Sequence, residues 1–165
     1  MTTEATDKVA EARKQAEAQL SSIRDMVKRL EHARQCDGGE ECELTDAEVY
    51  AGINLYHQGQ TATQEERAEY HDEEQAEEVI RNDALSVEVR SGWHSPGEQG
   101  EDEEYMILLC TGGPAVRIVG DLGGFGEADS ARLECQDWFT PWTDVPVIRD
   151  DEQALITYAG LFLGY

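Results

Sequence analysis

The sequence predicts an α+β fold, with helices first, then a four-stranded antiparallel sheet, and a C-terminal helix packed on that sheet. Three observations support this fold class. An apolar stripe repeats at three- and four-residue steps through the first 35 residues, alternating segments joined by glycine-rich turns follow residue 84, and a last apolar face follows residue 150. The 165 residues accordingly divide into a helical region, 1–83, and a sheet with its covering helix, 84–165. These two regions form one compact unit or two closely packed subdomains.

The first predicted helix covers residues 4–35 and has one narrow apolar stripe. Gly38 and Gly39 follow it as a stop signal. Several members of the stripe also form a heptad series, so it fits either packing within the chain or a coiled-coil homodimer. The stripe consists of Ala5, Val9, Ala12, Ala16, Leu20, Ile23, Val27 and Leu30.

Two capping boxes, each a Thr followed three residues later by a Glu, predict two further helices. Helix 46–58 follows Thr45, and helix 64–82 follows Thr63. The apolar side of helix 64–82 is thin, so we expect most of its surface to face solvent. The inner face of helix 46–58 is formed by Val49, Ile53 and Tyr56.

Four strands are predicted at residues 85–90, 105–110, 115–122 and 130–138. The first alternates apolar and polar side chains as a half-buried strand does, and glycine-rich turns join the others in sequence. Segment 139–147 contains two prolines and is predicted to be irregular. A final helix begins near Asp150, and its apolar face consists of Leu155, Tyr158, Ala159 and Phe162.

An aromatic group lies between the last strand and the last helix. Trp138, Phe139 and Trp142 surround Pro141. We expect them to pack over the sheet edge and the last helix. The alternative is an exposed apolar anchor, since Trp is favoured at the centre of binding surfaces.

The charge of the chain is concentrated after the first helix. Residues 1–35 carry a net charge of +1 and residues 36–165 a net charge of −24. Such an imbalance causes self-repulsion, which indicates that binding to a basic partner protein, and not stability, maintains it. An acidic surface repels nucleic acid and anionic lipid, so we expect no direct binding to DNA or membranes. The N-terminus has no apolar core like that of a secretory signal, which predicts a cytoplasmic protein.

Two acidic clusters are candidates for the partner-binding surface. On helix 64–82, six carboxylates fall within an arc of about 140° at 100° per residue. B-DNA carries one charge per about 1.7 Å of its axis, so this row is expected to imitate part of a phosphate strand. The alternative is an ordinary solvated acidic face. The row consists of Glu65, Glu66, Glu69, Asp72, Glu73 and Glu77, and the second cluster, in a loop between strands, consists of Glu101, Asp102, Glu103 and Glu104.

The other reactive side chains predict no catalytic residue, no metal site and no cofactor. Cys36 and Cys42 are separated by five residues, unlike the usual zinc spacing, so free thiols are favoured over a metal site or a redox switch, which stay open. Cys110 and Cys135 lie in predicted strands and are interpreted as buried apolar residues. The histidines are scattered along the sequence and are interpreted as surface or helix-face residues and not as ligands or bases: His32, His57, His71 and His94.

Three segments of the C-terminal half carry a resemblance: DALSVEVRSGW, EYMILLCTGGPAVRIVGDL and ARLECQDWFTPWT. The chain from Leu85 onward resembles small acidic proteins encoded by phages and other mobile elements. Some acidic proteins of such elements are anti-CRISPR or antirestriction inhibitors that act as DNA mimics. The resemblance therefore implies a viral inhibitor of a bacterial defence system, and it carries no catalytic motif.

The leading hypothesis is a non-enzymatic inhibitor that occupies a basic DNA-binding channel and blocks target DNA, with a CRISPR surveillance complex in the host cytoplasm as the favoured partner. The alternative is a non-catalytic oligomeric adaptor that dimerises through the first helix. A third hypothesis, a hydrolase or a metal enzyme, has no sequence motif in its favour.

Overall fold

A computed structural model describes residues 2–36, 38, 42–53, 55 and 58–163, with side chains from Lys8 onward. The chain has an α+β fold with a long N-terminal helix, an antiparallel sheet and a C-terminal helix, as predicted. The helices are α1 (Thr2–Gln35), α2 (Asp46–Gly52), α3 (Gln64–Tyr70), α4 (Glu73–Arg81) and α5 (Arg149–Leu163). The strands are β1 (Ser86–Ser91), β2 (Asp102–Cys110), β3 (Ala115–Asp121), β4 (Arg132–Gln136) and β5 (Thr143–Val145).

The sheet has five strands in the order β1-β2-β3-β4-β5, so the prediction of four strands is wrong. The additional strand, β5, pairs antiparallel with β4, with Val145 opposite Leu133. It lies between Pro141 and Pro146, which led to the prediction of an irregular segment. A three-residue strand at the edge of a sheet tolerates flanking prolines because one of its sides needs no hydrogen-bond partner.

The predicted helix 64–82 is two helices, α3 and α4, with a break at His71 and Asp72. The Asp72 side chain accepts a hydrogen bond from the Gln75 backbone N–H at 3.0 Å and thereby caps α4. Helix α2 ends at Gly52, six residues before the predicted end, and the rest of its predicted inner face, Tyr56, lies outside the described residues.

From Ala12 to Leu30, the apolar stripe of α1 is buried within the chain. Helix α1 packs over β3 and β4 and is flanked by α4 and α5. Ile23 and Leu30 are fully buried in a core shared with the sheet, so the stripe is already covered and a coiled-coil dimer through it is not compatible with this fold. The buried residues of the stripe are Ala12, Ala16, Leu20, Ile23, Val27 and Leu30.

The inner face of the sheet completes this core. Strands β2 and β3 alternate between buried and half-buried residues, and Ile107 pairs with Ile118, which pairs with Leu133. From α5, Leu155, Tyr158 and Ala159 join the same core, as predicted for the last helix. The Tyr158 hydroxyl donates to Asp83 at 2.7 Å, which ties α5 to the end of α4.

A second, smaller core lies in the segment that we call the helical lobe, the described residues between 42 and 72, including α2 and α3. Tyr50 donates a hydrogen bond to Glu66 at 2.9 Å, and Arg67 pairs with Asp46, so polar contacts join the two helices. The buried residues are few: Val49, Tyr50, Ile53, Ala62 and Tyr70. Burial of so little apolar surface does not hold a segment of this length in place by itself.

Replacing glycine by alanine is expected to change the free energy of unfolding in opposite directions at two positions. A methyl group at Gly120 would overlap the Ser130 carbonyl oxygen and the Tyr105 ring, whereas one at Gly160, in α5, meets no atom within 4 Å. We expect Gly120→Ala to lower the free energy of unfolding by about 1–3 kcal/mol. Gly160→Ala should raise it by up to about 1 kcal/mol, because alanine favours the helix. Urea denaturation measures both, and equal effects of the two substitutions contradict the packing described.

Candidate functional site

Six of the ten predicted partner-binding carboxylates are exposed, and five of these six, all except Glu73, pair with no described basic side chain. We call these five the exposed carboxylate set. Two members lie on α3, and three lie at the end of the β1–β2 loop and the start of β2. The set consists of Glu65, Glu69, Glu101, Asp102 and Glu103.

Two other predicted residues serve as helix caps. Glu66 accepts hydrogen bonds from the Thr63 backbone N–H at 2.7 Å and from the Thr63 hydroxyl at 2.9 Å. These bonds lower the pKa of Glu66, the backbone bond most strongly. Asp72 caps α4, as described above. Both carboxylates therefore stabilise local structure and are not free members of an acidic row.

The remaining three predicted carboxylates are in ion pairs. Glu73 and Glu77 accept hydrogen bonds from Arg34 of α1 at 2.9 and 2.7 Å, and Glu77 also pairs with Arg81 at 2.7 Å. Glu104 pairs with Arg90 across β1 and β2. The predicted continuous row of six unpaired anions is therefore wrong, for two reasons: the helix breaks at His71, and cations cover part of it.

An exposed tryptophan accompanies the carboxylates of the β1–β2 loop. Trp93 lies two residues after the end of β1 and is fully exposed, and the loop returns to β2 through Glu101, with Asp102 opposite Ser91. An apolar ring and several carboxylates are thus presented by the same loop. Large aromatic side chains of this kind are frequent anchors in protein–protein interfaces.

The aromatic segment near the last strand is mostly outside the core, so the prediction of core packing is wrong for two of its residues. Trp138 is 59% exposed and Phe139 is 98% exposed, and Phe139 has a positive φ of 65°. Trp142 is half-buried, and the Arg117 guanidinium lies 4.1 Å from the centre of its ring. This cation–π contact covers the outer face of the sheet.

A shallow groove of about 290 Å³ lies on that outer face, between β1 and β4. Arg117 pairs with Glu134 at 2.7 Å inside it, and Arg90 pairs with Glu104. Of the described residues that line the groove, none is a histidine, cysteine, serine or lysine. The hydrogen bond from Arg90 lowers the pKa of Glu104, which makes this carboxyl a poor general acid at neutral pH.

A histidine–cysteine cluster lies where α1 meets the helical lobe. His32 is in the last turn of α1, Cys36 follows one turn later, Cys42 precedes α2, and His71 ends α3. Their Nε2 or Nδ1 and Sγ atoms all lie within 4.8 Å of one another. The two Nε2 atoms are 3.2 Å apart, and Cys42 Sγ lies 3.5 Å from His32 Nε2 and 3.3 Å from His71 Nε2. These four residues could hold one metal ion.

His32 and His71, interpreted from the sequence as scattered surface or helix-face residues, therefore lie side by side in the structure. Both are half-buried, and their rings contact each other and Tyr70 edge to face. Burial, and then the neighbouring His71, lower the pKa of His32 and favour its neutral form. His57 lies outside the described residues, and His94 is exposed, as predicted.

A buried arginine fastens the same junction. Arg29 is 3% exposed and donates hydrogen bonds to three backbone carbonyls, those of Gly52 at 3.2 Å, Glu69 at 2.7 Å and Tyr70 at 3.3 Å. These carbonyls belong to the last turns of α2 and α3, where helical partners are missing. Burial lowers the pKa of Arg29, although a guanidinium remains charged in proteins. Arg29 thus ties both lobe helices to α1.

We expect Arg29→Met to lower the free energy of unfolding by about 2–4 kcal/mol, because three carbonyls lose charge-assisted partners while an apolar stem like that of arginine is retained. Arg81→Met is the matched control and should cost at most about 0.5 kcal/mol, since Arg81 makes only an exposed i,i+4 ion pair. Urea denaturation compares the two, and an Arg29 variant as stable as the control contradicts the role assigned to Arg29.

No protein-family model, curated protein or solved structure matches this chain. Within the part of the chain that the structure describes, no helix combines the length and the apolar character that a membrane span requires. Three features of the described residues bear on function: the exposed carboxylate set, the exposed aromatic residues and the histidine–cysteine cluster.

Proposed function

We propose that this protein is a non-enzymatic inhibitor that binds the basic DNA-binding channel of a bacterial defence complex and excludes target DNA. A CRISPR surveillance complex in the cytoplasm of the host is the favoured partner. The exposed carboxylate set contacts the Lys and Arg side chains of that channel. The protein itself does not bind nucleic acid.

One observation carries the proposal: residues 37–104 have very few basic side chains, and each of these already forms an ion pair within the chain. Residues 37–104 contain 21 carboxylates and only three basic residues. All three, Arg67, Arg81 and Arg90, are in ion pairs within the chain. The remaining negative charge is repulsive in the free protein and becomes favourable beside a cationic partner.

The mimicry concerns charge and not the spacing of phosphates. Helix α3 has seven residues, which corresponds to about 10 Å of axis, whereas one unbroken helix over residues 64–82 would be about 28 Å long. The carboxylates therefore do not form one straight row. Contact is instead made by the α3 carboxylates, Glu65 and Glu69, and by the β1–β2 loop. In that loop Trp93 supplies an apolar anchor next to the charges.

The adaptor hypothesis receives less support. It requires Ile23 and Leu30 to form a seam between two chains, but both are 0% exposed within one chain. The enzyme hypothesis also receives less support, because the described lining of the groove on the sheet has no histidine, cysteine, serine or lysine, and two of its arginines are already paired with carboxylates. Partner binding through surface charge remains the function that the geometry supports best.

A competition experiment tests the proposal. A CRISPR surveillance complex is incubated with labelled target duplex, and this protein is titrated against it at several salt concentrations. We expect it to displace the duplex, with an inhibition constant that increases steeply with salt, because released counterions and screening weaken charge contacts. Simultaneous binding of duplex and protein contradicts DNA mimicry.

Amide substitutions identify the surface used. We expect the combined variant Glu65→Gln, Glu69→Gln, Glu101→Gln, Asp102→Asn and Glu103→Gln to weaken inhibition by at least about tenfold. The matched control removes five exposed charges elsewhere, at Glu11, Glu17, Asp25, Asp150 and Glu152. Asp151 is left intact because it is 7% exposed and pairs with Arg24 at 3.2 Å. Equal potency of the two variants would show that net charge alone, and not this surface, is recognised.

A further inference from the structure

We propose that His32, Cys36, Cys42 and His71 bind one structural zinc ion that fastens the helical lobe to the end of α1. The site is separate from the exposed carboxylate set and goes beyond the proposed inhibition. It consists of two thiolates and two imidazoles contributed by the end of α1, the segment before α2 and the break between α3 and α4.

The distances between donor atoms fit a tetrahedral ion. Zinc bonds of about 2.3 Å to sulfur and about 2.0–2.1 Å to nitrogen give tetrahedral edges of about 3.3 Å between two nitrogens and about 3.6 Å between sulfur and nitrogen. The corresponding separations are 3.2 Å between the two Nε2 atoms, and 3.5 and 3.3 Å from Cys42 Sγ to His32 and His71. Cys36 Sγ lies within 4.8 Å of the other donors and completes the set.

The second nitrogen of His71 is held as in known zinc sites. His71 Nδ1 lies 2.6 Å from the Arg67 carbonyl oxygen, to which only a protonated Nδ1 can donate a hydrogen bond. In the neutral ring this leaves the lone pair on Nε2, the atom that points at His32 and Cys42. In metal sites, a hydrogen bond from the other ring N–H to a backbone carbonyl fixes the orientation and the tautomer of the ligating histidine.

The site lies where the fold needs a cross-link. The helical lobe has only five buried apolar residues, and segments with such small cores are commonly stabilised by metals or disulfides. The ion would join α1 to the entry of α2 and to the end of α3. Gly38, in the turn between Cys36 and Cys42, has a positive φ of 80°, and a methyl group there would lie 3.2 Å from His71 Nδ1. Gly38 thus lies close to the His71 ring.

The donor set favours zinc and a structural role. Two sulfur and two nitrogen donors in tetrahedral arrangement are typical of zinc, whereas Ca²⁺ and Mg²⁺ prefer oxygen ligands. Four protein ligands leave no open position for water or substrate, which distinguishes structural from catalytic zinc. Binding requires deprotonated thiols, so the ion also offsets the charge of two thiolates in an already acidic chain.

Metal content of the full chain tests the proposal without any partner complex. The protein is produced with added zinc, passed through desalting, and analysed for zinc and for free thiols. We expect about one zinc per chain, and cobalt in its place should give the intense visible bands of a tetrahedral ion together with thiolate charge-transfer bands. Zinc far below one per chain, or a Cys36–Cys42 disulfide in freshly reduced protein with zinc present, overturns the proposal.

Single substitutions separate this site from adventitious binding to carboxylates. Cys42→Ser and His71→Asn should abolish stoichiometric zinc and the cobalt bands, whereas the controls Cys110→Ser and His94→Asn should leave both unchanged. Cys110 lies in β2, and His94 lies in the exposed β1–β2 loop. Zinc that persists in the Cys42 and His71 variants and is lost in the carboxylate variant described above overturns the proposal.

Chelation gives a second readout that does not depend on whether the variants fold. We expect a chelator to lower the melting temperature of the wild-type chain and the controls, and zinc to restore it, because an ion that binds only the folded state stabilises it. A melting temperature unchanged by chelation, in a chain shown to have lost its zinc, contradicts the structural role. The metal analyses stand whether or not the protein inhibits a defence complex.

Discussion

Burial of the apolar stripe of α1 is the constraint on which the other elements depend. Ala12 and Ala16 allow close approach along the first half of the helix, and Ile23 and Leu30 fill the core along the second. Arg29 and His32 lie on a different side of the C-terminal part of α1 and contact the helical lobe. One helix therefore forms part of the larger core and also holds the helical lobe through polar contacts, so the position of the lobe follows from contacts with α1 and not from its own small core.

The same helix also distributes the charge of the molecule. Residues 1–35 hold seven of the thirteen basic side chains, and several of them reach neighbouring elements. Arg34 pairs with α4, Arg24 pairs with α5, and Lys28 pairs with Glu48 of α2 at 2.9 Å. Lys28, followed by the Thr45 cap, lowers the pKa of Glu48 to about 2. The exposed carboxylate set, on α3, at the end of the β1–β2 loop and at the start of β2, forms no ion pair with the described basic side chains and is available to a partner.

Local periodicity predicted α1, α5 and the first four strands, because each has an apolar pattern that needs no knowledge of distant residues. The break between α3 and α4 was missed, although Asp72 begins a capping sequence, since no glycine or proline marks it. The ion pairs of α4 were missed because Arg34 is 39 residues from Glu73 in sequence. The zinc site left one local signal, His32 and Cys36 one helical turn apart, but its completion by His71 depends on tertiary structure.

In the proposed site, a metal ion held by two sulfur and two nitrogen atoms joins the helical lobe to α1. X-ray absorption at the zinc edge of the purified full-length chain examines this most directly, since it counts the ligand atoms around the ion. We expect two sulfur atoms at about 2.3 Å and two nitrogen atoms at about 2.0–2.1 Å. A shell composed only of oxygen or nitrogen, without sulfur, would contradict the account and would assign bound zinc to surface carboxylates.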